Sequence, residues 1–455
     1  MIVHKLSSFI KEASFGDLSK EAVKQLKIRL LDSLGTALGA IEGEPVKAIR
    51  SMIEDFGGSE ISMLIGGGKT TPDRAALYNS ALVRYLDFND SYLAKGETCH
   101  PSDNIGAILA AGEMKDLSGK QFLTALAIAY QVQCRLSDEA PVRDKGFDHT
   151  TQGSYAVAAG VSKALNLNEE KTANAIAIAG TALNALRVTR TGALSNWKGL
   201  AYPHTAFGGT HAAFLAEYGI TGPPAVFEGN KGFMDSIAGE FSIDWEKENL
   251  ERVTDTIIKK YNAEIHSQSS LEGIIELKEE HGFTAEEVEK IEIEIFDVAY
   301  HIIGGGEEGD KTIVRTKEEA DHSLQYMVSA ALLDGPVMPE QYKQERIEAD
   351  DIQSLLQKVK VSPNQDYSGR FPDEMPVMMT VHLKDGNSYK IEKKDYEGFH
   401  TRPMNWETII QKFEKLAVPF TTANLREEII NTVQNFEEHN VNELTELLAK
   451  VDRSS

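Results

Sequence analysis

Apolar positions along this chain recur mainly at three- and four-residue spacing, which predicts a protein built mostly of helices. Val23, Leu26, Ile28, Leu31, Leu34 and Leu38 predict a first long helix, with Ser19 as its N-cap and Gly43 just past its end. Thr71-Pro72 predicts the start of another, running through Ala75, Ala76, Ala81 and Leu82. Five alanine-rich helices follow, over 105–114, 119–136, 153–165, 170–186 and 207–218. Their small residues allow close helix–helix approach and mark an all-helical core.

Near Ile257 the texture changes. Ile291-Glu292-Ile293-Glu294-Ile295 alternates strictly, as a half-buried strand does. Val377–Leu383 and Ser388–Glu392 flank Lys384-Asp385-Gly386-Asn387, a hairpin signal. From Trp406 amphipathic helices return. The expected architecture is mainly α: a helical domain over 1–262, a smaller α+β lid domain over 263–402, and C-terminal helices over 403–455 that complete the first domain.

Composition narrows the class. At 455 residues, with 41% hydrophobic and 26% charged residues, the chain suits a globular protein of more than one domain. No apolar run is long enough for a membrane helix, and the charged N-terminus does not resemble a secretory signal. A net charge of −23 disfavours nucleic acid and anionic membrane surfaces as partners. Two cysteines, Cys99 and Cys134, fit a cytoplasmic setting and cannot supply the three or four thiolates that an iron–sulfur cluster normally takes. Gly66-Gly67-Gly68-Lys69 invites a phosphate-loop reading, but Met63 stands where that motif needs its first glycine.

Candidate chemistry concentrates between helices. Arg84 to Asn104 packs Asp87, Asp90, Ser91, Lys95 and His100 into one short span, although turn and cap roles account for several of these residue types. His149 and Lys198 lie in two further breaks, 144–151 and 187–204. His204 and His211 are seven apart, but no nearby carboxylate repeats at ligand spacing, so no metal site is expected.

LDFND at 86–90, HPSDN at 100–104, GFDHTT at 146–151, NWKG at 196–199, KKYNAEIHSQS at 259–269 and ADHSLQY at 320–326 occur together and in order. The chain thereby resembles the MmgE/PrpD family of 2-methylcitrate dehydratases, cis-aconitate decarboxylases and iminodisuccinate epimerases. The resemblance implies the same two-part architecture and a homodimer. It implies a di- or tricarboxylate substrate and no cofactor. It places Asp87, His100, His149, Lys198, Lys259 and Tyr326 on active-site positions, the first three and Tyr326 as catalytic and the two lysines as substrate-binding. Ser91, Lys260 as the alternative to Lys259, and His266 as a spare candidate complete the expected substrate-binding set. Ser91 stands where threonine is common, and Asn262 where proline is usual. The activity expected is a cluster-independent lyase reaction, dehydration of 2-methylcitrate, with His100 and His149 as an acid–base pair in either order. Decarboxylation of cis-aconitate, epimerisation and a non-catalytic binding role are the alternatives.

Overall fold

The computed structural model describes residues 1–453. The chain is mainly helical, with a small mixed sheet in its C-terminal half. It divides into two compact units: residues 1–189, 199–256 and 405–455, and residues 190–198 and 257–404. The segment 190–198 lies inside the stretch expected to form the first helical domain, yet it clusters with the second unit.

In the first unit, helix Lys20–Gly39 begins where its sequence signal says, Ser19 Oγ accepting from the Ala22 amide. Helix Pro72–Tyr85 follows Thr71. Helices Ile105–Met114, Gly119–Glu139 and Thr150–Ala164 are almost wholly buried. Small residues permit this packing: a Cβ on Gly106 would lie 2.4 Å from the Ser80 amide nitrogen of the neighbouring helix.

Helices Trp406–Ala417, Ala423–Gln434 and Val441–Leu448 return the chain to this first unit. A buried ion pair fastens them. Lys412 Nζ lies 2.7 Å from Asp32 Oδ1 and donates to the Phe88 carbonyl at 2.8 Å. The same ammonium sits 3.8 Å from the centre of the Phe88 ring. The C-terminal helices thus hold the LDFND segment from behind.

Two expected helices differ most in extent. The one expected over 170–186 runs Glu169–Ala182. Beyond it the chain pairs with the stretch before His149: the Asp148 amide donates to Ala185, and the Arg187 amide to Gly146, both at 2.9 Å. Tertiary hydrogen bonds thus replace the helix's last turn. The helix expected from Phe207 begins ten residues earlier, as Trp197–Glu217 with Pro203 inside it.

The second unit carries a four-stranded sheet in the order Val359–Pro363, Val288–Ile295, Val377–Leu383, Ser388–Lys393. The first pair is parallel and the others antiparallel. Ile291, Ile293 and Ile295 alternate onto its buried face with Val377, Met379 and Val381. Strand Val359–Pro363 was not among the expected elements; three of its five residues are exposed, so its apolar alternation is short.

Candidate active site

The dense span 84–104 contains a small antiparallel hairpin, Tyr92–Ala94 against Glu97–Cys99, whose two-residue turn is Lys95-Gly96. The hairpin delivers His100 to a buried position. Its Nδ1 lies 2.8 Å from the Asp90 carbonyl oxygen and 3.1 Å from Ser91 Oγ. Asp90 is anchored in turn: Oδ1 accepts from Ser102 Oγ at 2.6 Å and Oδ2 from Tyr130 at 2.7 Å. Burial pushes the Asp90 carboxyl up, against these hydrogen bonds, which favour its charged form.

Asp87 adopts a left-handed backbone, φ 55°. Asp tolerates this region better than most residues, and such conformations concentrate at functional sites. Its carboxylate pairs with Arg84 Nη1 at 2.7 Å, both groups being buried.

His149 sits at the mouth of helix Thr150–Ala164. Its ring meets that of His100 edge-on, with centroids 5.5 Å apart, and stacks on Tyr202 at 6.1 Å. The carboxylate beside it is Asp148, Oδ1 lying 3.8 Å from His149 Nε2. Glu97, on the hairpin, accepts from the Val142 and Arg143 amides at 3.2 and 3.1 Å. Burial, then Asp148, push its carboxyl up to about 7, against Arg187. The first unit therefore gathers Ser91, His100 and His149, with Asp87 close by in sequence and held by arginine.

The second unit holds a cationic cluster of its own residues. Lys198 Nζ lies 2.6 Å from Asp321 Oδ1 and 2.8 Å from His322 Nδ1. Lys317 Nζ lies 2.7 Å from the other Asp321 oxygen. Burial alone would raise the Asp321 carboxyl, but Lys198 and Lys317 outweigh it and hold it well below the usual range. His266 Nδ1 lies 2.7 Å from Glu264 Oε1. Burial opposes charge on Glu264, yet His266, with His322 and Lys259 nearby, holds it at about 2. The pair is therefore a carboxylate–imidazole dyad. His266 Nε2 is buried and finds no hydrogen-bond partner among the described residues. Lys259 is fully buried in this unit.

Two expected site residues are engaged elsewhere in the second unit. Lys260 bridges Glu272 and Glu397, each at 3.0 Å. The Tyr326 hydroxyl donates to the Gln341 carbonyl. Sequence reasoning passed over Asp321, His322 and Glu264 as participants. All three lie within segments that carried the family resemblance, so the signal was present but was assigned to their neighbours.

A mainly helical unit with paired buried imidazoles, and a mixed-sheet unit with buried lysines, describe a class of protein rather than one protein. Residues 4–246 match the MmgE/PrpD N-terminal domain and residues 261–438 the MmgE/PrpD C-terminal domain. The chain belongs to the MmgE/PrpD family. It is 28% identical over 411 residues to the 2-methylcitrate dehydratase of Escherichia coli (strain K12), covering 84% of this chain and 83% of that one. It is 27% identical over 409 residues to a mitochondrial 2-methylcitrate dehydratase of Yarrowia lipolytica, covering 84% and 77%. It is also 24% identical over 463 residues to the cis-aconitate decarboxylase of Mus musculus, covering 96% and 91%. By their names these relatives are lyases that act on tricarboxylates.

Proposed function

We propose that the protein dehydrates 2-methylcitrate to 2-methyl-cis-aconitate and water without an iron–sulfur cluster. The observation carrying this reading is the buried pair of imidazoles, His100 and His149, 5.5 Å apart. Dehydration needs a base for a weakly acidic C–H beside a carboxylate and an acid for the departing hydroxyl. Imidazole serves both roles near neutral pH. Lys198 and Lys259 are assigned to the substrate's carboxylates, where fixed positive charge also stabilises the enolate-like transition state. Ser91 and His266 are assigned polar contacts to substrate; Tyr326, whose hydroxyl donates to the Gln341 carbonyl, is assigned none. With Cys99 and Cys134 as its only thiols, the chain lacks the ligands a cluster normally takes.

Decarboxylation of cis-aconitate is the second reading, favoured by the longer match to the mouse decarboxylase, 96% of this chain. It needs only a proton donor to the carbanion left by CO₂.

Proton NMR of chelator-treated protein with 2-methylcitrate, citrate or cis-aconitate separates the two. Growth of 2-methyl-cis-aconitate signals without added iron is expected. Itaconate from cis-aconitate would transfer the protein to the second reading, and silence on all three substrates would remove both.

A further inference from the structure

We infer that His100 is held as the Nδ1–H tautomer with its lone pair on Nε2, and that Asp90 is the residue positioning it. Resting on the dehydratase reading, this makes His100 the base and His149 the acid.

The tautomer follows from one contact. His100 Nδ1 is 2.8 Å from the main-chain oxygen of Asp90. A carbonyl oxygen can only accept, so the proton between them belongs to the ring. Neutral imidazole has one N–H, and Nε2 therefore keeps the lone pair. Ser91 Oγ, 3.1 Å from the same nitrogen, is compatible as a second, weaker acceptor.

The carbonyl is aimed by its own side chain. Asp90 Oδ1 accepts from the Ser102 amide at 3.1 Å and hydroxyl at 2.6 Å, pinning the chain two residues beyond His100 to the residue ten before it. Oδ2 accepts from Tyr130, on helix Gly119–Glu139. Asn89 reinforces the same corner, donating to Ser102 Oγ and Asp103 Oδ1, both at 2.8 Å. Asp90, Ser102 and Tyr130 are fully buried, so water does not compete for these bonds.

His149 differs in its neighbour. Asp148 Oδ1 lies 3.8 Å from its Nε2, with Arg187 Nη1 4.0 Å from the other Asp148 oxygen, and with His100 as the base His149 is left as the proton donor. In the reaction, His100 Nε2 takes the C–H proton and its electron pair forms the new C=C bond. The C–O bond breaks, and the hydroxyl leaves as water with the proton from His149. One proton is gained and one given up, so the enzyme resets by returning a proton from His100 to His149.

The test is NMR of the full-length protein labelled with ¹⁵N-histidine, without substrate, the His100 signals being assigned by their loss in His100→Gln. A proton on Nδ1 and none on Nε2 is expected; the reverse would overturn the inference. Asp90→Ala should give mixed tautomers and lower kcat on 2-methylcitrate about 10- to 100-fold, with KM changed no more than about threefold. Asp90→Asn, which keeps an acceptor for Ser102, should restore most of both. A single tautomer and undiminished kcat in Asp90→Ala would remove Asp90 from this role. Should Asp90→Ala not fold, Tyr130→Phe decides: a loss of about three- to tenfold in kcat with partial mixing is expected, and no change would count against the proposal. Turnover of 2-methylcitrate by a protein whose His100 bears its proton on Nε2 would leave the dehydratase reading standing without this inference. An Nδ1 proton with no turnover of any tricarboxylate would do the opposite.

Discussion

At the scale of single residues, charge state governs what each group can do. His149→Gln and His100→Gln are each expected to lower kcat by about 10²- to 10⁴-fold, the usual contribution of general acid–base catalysis, with a stopped product signal as the check. Lys198→Ala is expected to raise KM about 10- to 100-fold and to lower kcat as well, as loss of a charge that serves both substrate and transition state should. Glu97 offers a pH test. Its carboxyl is raised from 4.5 to about 7 in the fold. Between those values the native state holds a proton that the unfolded chain has released, so stability falls as pH rises through this window. The shift corresponds to a loss of order 3 kcal/mol. In urea unfolding, the stability of Glu97→Gln relative to wild type should therefore improve from pH 5 to pH 8. A constant difference across that range would contradict the assignment.

At the scale of elements, the first unit depends on close approaches and one buried ion pair. A Cβ on Gly119, at the capped start of its helix, would fall 1.7 Å from the Phe436 carbonyl oxygen. Gly119→Ala must push the 436–439 turn away and is expected to cost about 1–3 kcal/mol in urea unfolding. Lys412→Met should cost more, about 3–5 kcal/mol, because Asp32 would stay buried without its cation. The helices themselves were legible wherever apolar periodicity and caps agreed: helix Ile105–Met114 falls on its expected bounds, and Ser19 is an N-cap. The hairpin that carries His100 was not. Its strands are three residues each, too short for alternation to register, and Lys95-Gly96 is not among the strong turn pairs.

At the scale of the whole molecule, two units each hold half of the candidate chemistry. Among the described residues no helix is long and apolar enough to cross a membrane. A homodimer is proposed. Its best support is helix Trp197–Glu217 and the residues after it, where Tyr218 and Ile220 are exposed and Phe207, Phe214 and Leu215 half-buried. Light scattering should return twice the chain's 50.1 kDa, and Phe214→Glu with Tyr218→Glu should return a single chain's mass. A wild-type monomer would refute the pairing.

The sequence by itself determined the helical class, the sheet segment near Ile291 and the positions of the titratable residues, because periodicity, caps and motif order are local or linear properties. It also carried the family, through short segments spread over both units. Only the tertiary structure decided which of these residues meet. Lys259 and Lys260 are adjacent and alike in sequence, yet one is fully buried and the other spent on Glu272 and Glu397. Asp90 looked like a turn residue until Ser102 and Tyr130 closed on it. Burial and partnership set protonation, and both depend on chain segments far apart in sequence coming together.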